Sequence, residues 1–259
     1  MIIDCFNYNG EPIAEARIAY LSPVVDLFVV VEGLYTFSGQ RKPRLMERAP
    51  FRKNPKVLSV LVPGKPPRDD YCGATSPAWA AEHYQRDFPR GVVLARCAKP
   101  DDLVICSDVD EIPSRDYLQK RAAQDVAEKG PISFGMDFLY YNFGWKKPKP
   151  WPPSAFVASP KDLQARSISS FRHADKRVAV PNCGWHCSFF ETPEAIKRKI
   201  EAFSHQEYNR PEFTDLDHIR ACVVGGKDLF GRADEDCVPN DRSALPSELL
   251  EWEAAWAGR

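Results

Sequence analysis

Residues 103–113 read Leu-Val-Ile-Cys-Ser-Asp-Val-Asp-Glu-Ile-Pro, an apolar run that passes directly into three acidic residues. The run at 103–107 predicts a buried strand, and Pro113 ends the segment. Asp108, Asp110 and Glu111 therefore follow the carboxyl end of a strand. In open α/β sheets this edge is where ligands bind.

Similar apolar runs alternate with helical stretches through the first half of the chain. Strands are predicted at residues 1–6, 27–32, 57–62, 103–107 and 132–141. Helices are predicted at residues 11–21, 77–88 and 115–128. The alternation predicts an α/β fold with a mostly parallel central sheet flanked by helices.

The pattern is irregular after residue 141. Residues 145–153 form a Pro-rich, Trp-containing loop, and Thr192-Pro193 begins an amphipathic helix with Ile196 and Ile200 on one face. A second helix is expected at residues 216–223. Residues 234–259 form an acidic tail with seven acidic residues against two arginines. A chain of 259 residues suits one domain with an irregular C-terminal region.

Composition excludes several classes of protein. Lys plus Arg (35) nearly balances Asp plus Glu (36), so no overall field attracts nucleic acid, and any anion site must be local. No apolar run is long enough to span a membrane, and the N-terminal residues lack the pattern of a signal peptide. We expect no integral membrane segment and a cytoplasmic location. The eight cysteines are then expected as free thiols, with a disulfide framework as the alternative.

The acidic segment has two interpretations. Asp108 and Asp110 could share a divalent cation that bridges a diphosphate, or the acids could simply cap the following helix. His186 could complete the cation site, or it could be a hydrogen-bonded structural histidine beside Trp185. Zinc bound by Cys183, His186 and Cys187 is less favoured, because no second ligand pair is present.

Each of three other clusters of residues has two possible interpretations. The basic residues at 41–56 could form a phosphate clamp beside Glu32, which would accept hydrogen bonds from a ribose, or a solvated loop. Residues 204–209 could supply an acid/base pair or a polar helix terminus. Five aromatic residues could form a sugar-stacking surface or pack in the core: Tyr140, Tyr141, Phe143, Trp145 and Trp151.

Several spaced motifs together resemble glycosyltransferase family 17, the family of the β-1,4-mannosyl-glycoprotein 4-β-N-acetylglucosaminyltransferase. They span about residues 4–219, and the 108–113 and 184–188 motifs are the specific ones. The motifs are Phe6-Asn7-Tyr8-Asn9-Gly10-Glu11, residues 25–32 with Phe37-Ser38-Gly39, Trp79-x-x-Glu82 with Arg86, residues 102–113, and Gly184-Trp185-His186-Cys187-Ser188.

The resemblance implies a GT-A-like fold and inverting transfer from a UDP-sugar, expected to be UDP-GlcNAc. It implies a nucleotide-sugar-binding half at residues 1–141, an acceptor-side half at 142–233, and the tail at 234–259. Mn²⁺ or Mg²⁺ is expected at Asp108, Asp110 and His186. The donor is expected to contact Glu32, Ser38, Lys42, Arg86 and Asp108.

Inverting transfer also needs a base for the acceptor hydroxyl, and the candidates are Glu207, Glu191 and His205. The expected acceptor is a glycan or glycolipid, such as a lipid-linked or surface-polysaccharide precursor. The alternatives are a metal-dependent nucleotidyltransferase or phosphohydrolase and, in another class, a noncatalytic glycan-binding module.

Overall fold

The computed structural model describes residues 1–174 and 177–257. Its twelve strands are β1 (Ile2–Asn7), β2 (Leu27–Gly33), β3 (Val57–Val62), β4 (Leu103–Asp108), β5 (Glu111–Pro113), β6 (Ile132–Phe134), β7 (Asp137–Tyr140), β8 (Asn142–Lys146), β9 (Phe156–Ala158), β10 (Val178–Val180), β11 (Gly184–Ser188) and β12 (Val238–Pro239).

The α-helices of these residues are α1 (Ile13–Leu21), α2 (Pro77–Asp87), α3 (Arg90–Arg96), α4 (Arg115–Lys120), α5 (Ala122–Lys129), α6 (Pro160–Ala165), α7 (Ile168–Arg172), α8 (Pro193–Ala202), α9 (Pro211–Thr214), α10 (Leu216–Gly225) and α11 (Ser247–Ala257). Short 3₁₀ turns lie at Met46–Arg48, Pro50–Lys53, Tyr71–Gly73, Gln206–Tyr208 and Arg242–Ala244.

The strands form two sheets. The larger has the order β10-β6-β9-β4-β1-β2-β3, in which β4, β1, β2 and β3 are parallel and β9 is antiparallel to both of its neighbours. The smaller has the order β12-β8-β7-β11-β5. Only Val109 and Asp110 separate β4 from β5, so this turn joins the two sheets. The predicted α/β class with a mostly parallel central sheet is confirmed.

Both faces of the central sheet are buried. Along β4, Ile105 packs into one apolar cluster with α1 and α11, while Val104 and Cys106 pack into another with α3, α6 and α7. Phe28 and Val29 of β2 divide between the same two clusters. Side chains alternate across a strand, so a sheet covered on both faces needs unbroken apolar runs. This is why the strands stand out in the sequence.

Two predicted elements are each divided in the structure. Residues 132–141, predicted as one strand, form β6 and β7 in different sheets. Gly135 lies at the break. An added Cβ would be 3.0 Å from the Val180 carbonyl oxygen, so a larger residue would be crowded by the backbone of β10. Residues 115–128, predicted as one helix, form α4 and α5 around Arg121, whose φ of −131° is not helical.

The C-terminal region also packs against the fold. α8 and α10 build a third apolar cluster around Ile196, Ile200 and Ile219. Leu249 of α11, in the acidic tail, is fully buried in the core. None of the described helices is both long and apolar enough to cross a bilayer. All eight cysteines are free thiols, as expected.

A buried ion cluster ties the Pro-rich loop to this region. Asp228 accepts from Lys147 Nζ (2.5 Å) and from Arg232 Nη2 (2.7 Å), and the Lys147 and Asp228 side chains are almost fully buried. Burial raises the pKa of Asp228, but Arg232 and Lys147 outweigh it and lower the pKa to about 2. The loop at 145–153 is therefore anchored by charge as well as by its aromatic residues.

This cluster predicts a pH dependence of stability. Because the folded-state pKa lies below the ordinary value of 3.8, Asp228 stabilises the fold above pH 3.8 and loses this effect as the pH falls towards 2. The shift corresponds to about 2 kcal/mol. We expect Asp228→Asn to be less stable at pH 7 and to lose less stability between pH 4 and 2, measured by urea unfolding. Asp217→Asn, at an exposed side chain, is the control and should keep the wild-type pH profile.

Candidate active site

The carboxyl ends of three adjacent parallel strands open into one cavity of about 500 Å³. Asn7 ends β1 and pairs in register with Asp108, which ends β4. Tyr35 follows the end of β2 and lines the same cavity. The carboxyl ends of parallel strands lie at one edge of a sheet, which is where α/β proteins bind their ligands. The cavity therefore lies where the sequence predicts a site.

A buried arginine fixes the turn between β4 and β5. Arg17 of α1 is fully buried, and its Nε and Nη2 donate to the two carboxylate oxygens of Asp4 (2.8 and 2.6 Å). Its Nη1 donates to the carbonyl oxygens of Asp108 (2.8 Å) and Glu111 (2.7 Å), and its Nη2 also donates to Ser107 Oγ (2.6 Å). One guanidinium thus determines the backbone path that presents the acidic residues.

Asp108 lies between two further arginines. Arg86 of α2 donates to its Oδ1 (2.9 Å) and Arg172 of α7 to its Oδ2 (2.5 Å). Arg172 also forms a two-pronged contact with Glu111 (2.7 and 2.9 Å). Burial raises the pKa of Asp108, but Arg172 and Arg86 outweigh it and hold that pKa well below its usual range. Asp108 is therefore an ionised carboxylate with both oxygens occupied.

Asp110 faces a different set of groups. Its Oδ2 accepts from Lys199 Nζ of α8 (3.1 Å), and its Oδ1 lies 3.8 Å from His186 Nδ1. The His186 ring stacks on Trp151, with centroids 3.8 Å apart and planes 3° apart. Burial lowers the pKa of His186 more than the nearby acids raise it, so its imidazole is neutral. Its buried Nδ1 has no hydrogen-bond partner within the part of the chain that the structure describes.

Asp110 and His186 fit a metal ion that is bound partly by the protein and partly by a ligand, rather than one enclosed by protein side chains. Within residues 1–174 and 177–257, no three His, Cys, Asp or Glu side chains are arranged to hold a cation. Asp110 and His186 nevertheless offer an oxygen and an unpartnered nitrogen, and Mg²⁺ is commonly held by one or two side chains together with phosphates and water. The role of Asp108 as a metal ligand stays a prediction, since its oxygens bind guanidinium groups.

The same cavity has a place for an anion. Arg86 is buried and lines the wall, yet its Nε and Nη1 have no hydrogen-bond partner among the described residues. Buried N–H groups are rarely left unpaired, because an unmade hydrogen bond costs about 1–3 kcal/mol. Lys42 also lines the cavity. Arg86 and Lys42 therefore give the cavity wall positive charge that could attract an anion.

Other predicted donor contacts lie outside the cavity wall. Glu32 accepts from Lys42 Nζ (3.2 Å) and from the backbone N–H of Leu45 (2.5 Å), so it holds the loop after β2. Ser38 contacts Thr36 and does not line the cavity. Among the basic residues at 41–56, Lys42 is the one in the wall. The loop itself is therefore mostly structural.

The predicted base candidates fall in two places. His205 lines the cavity, and its Nδ1 lies 2.7 Å from Glu207 Oε1, which is outside the lining. Because a carboxylate accepts, this contact puts the proton on Nδ1 and leaves Nε2 free to accept. Glu191 lies behind the wall, 3.9 Å from Lys199, and burial raises its pKa to about 7. The geometry favours His205 as the residue that meets a ligand.

The aromatic residues after residue 140 mostly pack in the core. Tyr141 and Phe143 are buried outside the cavity lining, and Trp145 packs against Gly226. Tyr140 and Trp151 reach the cavity, Trp151 through its stack on His186. Of the two interpretations, core packing therefore applies to Tyr141 and Phe143, and the partly buried Trp145 packs against the third apolar cluster.

The cysteines near His186 do not join it. Alternate residues of β11 point to opposite faces, so His186 faces the cavity while Cys187 packs in the core with Cys183. Burial raises the pKa of the Cys183 thiol to about 12. Both cysteines are therefore protonated core residues, and the zinc interpretation is not supported.

Three cationic residues of this site are not predicted from the sequence. Arg17, Arg172 and Lys199 come from α1, α7 and α8, and each reaches the acidic turn from a distant part of the chain. Lys199 directly follows Lys197 and Arg198, and Arg17 and Arg172 are single basic residues in their helices, so no local pattern separates the three from surface residues.

Comparisons with known proteins show which family the chain belongs to. The family model described as "Glycosyltransferase family 17" matches residues 2–241. The β-1,4-mannosyl-glycoprotein 4-β-N-acetylglucosaminyltransferases of Rattus norvegicus and Homo sapiens are each 27% identical over 96% of this chain, covering 52% and 53% of their own. The chain therefore spans about half the length of these curated relatives.

Solved structures give more distant similarities. A 4-diphosphocytidyl-2C-methyl-D-erythritol synthase from Anaerococcus prevotii has a TM-score of 0.38 and 12% identity, over 71% of this chain and 87% of that one. An active-site mutant of LgtC has a TM-score of 0.33 and 13% identity, over 65% of this chain and 60% of that one. The family match, which covers nearly the whole chain, assigns the protein: the chain belongs to glycosyltransferase family 17.

Proposed function

We propose that this chain transfers N-acetylglucosamine from UDP-GlcNAc to a hydroxyl group of a glycan, with inversion at the anomeric carbon. The observation that carries the proposal is the cavity at the ends of β1, β2 and β4, where unpartnered Arg86 N–H groups lie beside the acidic turn. A nucleotide sugar brings a diphosphate that needs cations and a sugar that needs an apolar wall. The family and the names of its curated relatives support N-acetylglucosamine as the sugar.

The donor diphosphate is proposed to lie between Arg86 and Lys42, with the nucleoside against Tyr35 and Asn7 at the strand ends. Phosphate oxygens would accept from the Arg86 Nε and Nη1 groups that are buried without partners. Arg172 keeps Asp108 and Glu111 in place beneath the donor. These residues bind and orient the leaving group before any bond changes.

Asp110 and His186 are proposed to hold Mn²⁺ or Mg²⁺ next to the diphosphate. When bound, the cation would act as a Lewis acid that neutralises charge on the leaving phosphate. Lys199, bound to Asp110, adds a second positive charge at the same place. Trp151 keeps the His186 ring in one orientation by stacking on it.

His205 is proposed as the general base, oriented by Glu207. The acceptor oxygen attacks the anomeric carbon and gives its proton to His205 Nε2. The new carbon–oxygen bond forms as the bond to the phosphate oxygen breaks, and that electron pair leaves with UDP. A base positioned in this way contributes about 10²–10⁴-fold to a rate.

This assignment predicts a specific loss. His205→Ala should lower kcat at least about a hundredfold while leaving UDP-GlcNAc affinity unchanged, because the base is needed only when the acceptor reacts. The matched control is His218→Ala, since His218 contacts the Leu229 carbonyl oxygen (2.9 Å) outside the cavity and should keep its kcat. Initial rates over a range of acceptor concentrations measure both. A kcat within twofold of wild type in His205→Ala would return the role to Glu191 or to another group.

The acceptor is proposed to be a glycan of a glycoprotein. The relatives are named for transfer to a β-1,4-mannosyl glycoprotein, which supports this class. The expectation of a lipid-linked or surface-polysaccharide acceptor stays a prediction. Both acceptors present sugar hydroxyl groups, so the same cavity chemistry applies to either.

The test is a transfer assay with UDP-GlcNAc, Mn²⁺ and a glycopeptide that carries a β-1,4-linked mannose. We expect release of UDP and addition of one GlcNAc, in the β configuration because the donor linkage is α. Release of pyrophosphate would indicate a nucleotidyltransferase. Glycan binding without UDP release would indicate a noncatalytic module.

A further inference from the structure

Two aromatic rings form a stacked pair in the cavity wall. Tyr208 and Phe230 have centroids 4.1 Å apart and planes 24° apart, and we call this pair the Tyr208–Phe230 platform. Both side chains are partly exposed and both line the cavity. Phe213 packs edge-on against Phe230 (5.4 Å), outside the lining, and supports the pair from behind. The platform is therefore a braced aromatic surface that faces the cavity.

The platform lies next to the proposed base, His205. The Tyr208 ring is 5.9 Å from the His205 ring. On its other side, Phe230 is 6.1 Å from Phe189, and Lys199 Nζ lies 5.5 Å from the Phe189 ring. Lys199 in turn binds Asp110. A sugar on the platform would thus be held between the base and the acidic turn.

The chemistry of the platform favours an uncharged sugar ring. One neighbouring cation, Arg232, lies over the Phe230 ring (5.5 Å) but is paired with Asp228 through two contacts (2.7 and 3.1 Å). An aromatic face gives a sugar ring apolar contact area, and stacking needs no charge. The Arg86 end of the cavity, with its unpartnered N–H groups, is the place for the anionic donor.

We propose that the Tyr208–Phe230 platform is the acceptor subsite, on which the neutral sugar that receives the transferred group stacks beside His205. This inference rests on the proposed function. It assigns acceptor affinity to aromatic residues at the C-terminal side of the cavity, and it separates them from the donor contacts at the strand ends. Tyr208 acts here through its ring, so its hydroxyl group is dispensable.

The test compares Tyr208→Ala with Tyr208→Phe. The alanine variant should raise the acceptor KM at least about tenfold, while the phenylalanine variant should stay within about threefold of wild type. The KM for UDP-GlcNAc should be unchanged in both. Phe88→Ala, an exposed aromatic residue outside the cavity, is the control and should leave both constants unchanged. Thermal unfolding verifies that each variant is folded.

A binding measurement separates this inference from the proposed function. Ligand-observed NMR with the mannose-bearing glycopeptide, without donor, should show binding to wild type and to Tyr208→Phe and its loss in Tyr208→Ala. Equal binding by the alanine variant, or no binding by wild type, would overturn the platform. Binding that depends on the Tyr208 ring, without any UDP release from UDP-GlcNAc, would support the platform and overturn the proposed transfer.

Discussion

Asp110→Asn is expected to reduce transfer at least about a hundredfold while the protein stays folded. The carboxylate is buried in the cavity, where burial raises its pKa but the Lys199 ammonium group outweighs this and keeps the pKa below its ordinary value. It is the one acidic group that meets Lys199 and His186 together among the described residues. Electrostatic stabilisation at such a site is worth about 3 kcal/mol or more. Initial rates with UDP-GlcNAc and acceptor measure the loss.

A matched control separates this effect from general loss of charge. Asp137 pairs with Lys146 (2.7 Å) on a partly exposed surface, outside the cavity lining. Asp137→Asn should keep wild-type rates. Wild-type activity in Asp110→Asn would remove Asp110 from the proposed chemistry, together with its role in holding a cation.

Arg17→Met is expected to lower the free energy of unfolding by about 3–5 kcal/mol, the largest effect on stability that we predict. The substitution removes the partner of the fully buried Asp4 carboxylate and leaves the carbonyl oxygens of the β4–β5 turn without their donor. An uncompensated buried charge costs more than the loss of a surface contact. Urea unfolding followed by circular dichroism measures the change.

Two variants make this result interpretable. Arg48→Met removes an exposed arginine and should change stability by less than about 0.5 kcal/mol. The double variant Arg17→Met with Asp4→Leu removes both charges and should recover part of the loss. A single-variant loss below about 1 kcal/mol would contradict the role given to Arg17.

The sequence predicts the sheet better than the site for a physical reason. Strands β2 and β4 are covered on both faces, so each begins as an unbroken apolar run, and the acidic turn follows β4 directly. The break between β6 and β7 at Gly135 is not visible as a change in hydrophobic pattern. It depends on how closely the Val180 backbone approaches Gly135 in the folded chain. The local hydrophobic pattern indicates that a segment is buried. It does not indicate which distant segment covers it.

The predicted site residues show the same limit. Asp108, Asp110, Arg86 and His186 lie in the cavity, whereas Glu32 is committed to its own loop. Arg172 occupies both oxygens of Glu111 and one of Asp108, and nothing near residue 172 in the sequence indicates this. Charge pairs between distant segments of the chain appear only once the chain is folded.

The most direct measurement is a calorimetric titration of the wild-type protein with UDP-GlcNAc in the presence of Mn²⁺, repeated with Arg86→Gln. A cavity that holds the donor diphosphate through Arg86 predicts saturable binding at one site, competed by UDP and at least about tenfold weaker in the variant. No binding of UDP-GlcNAc or any other nucleotide sugar, or equal affinity in Arg86→Gln, would contradict donor binding in this cavity.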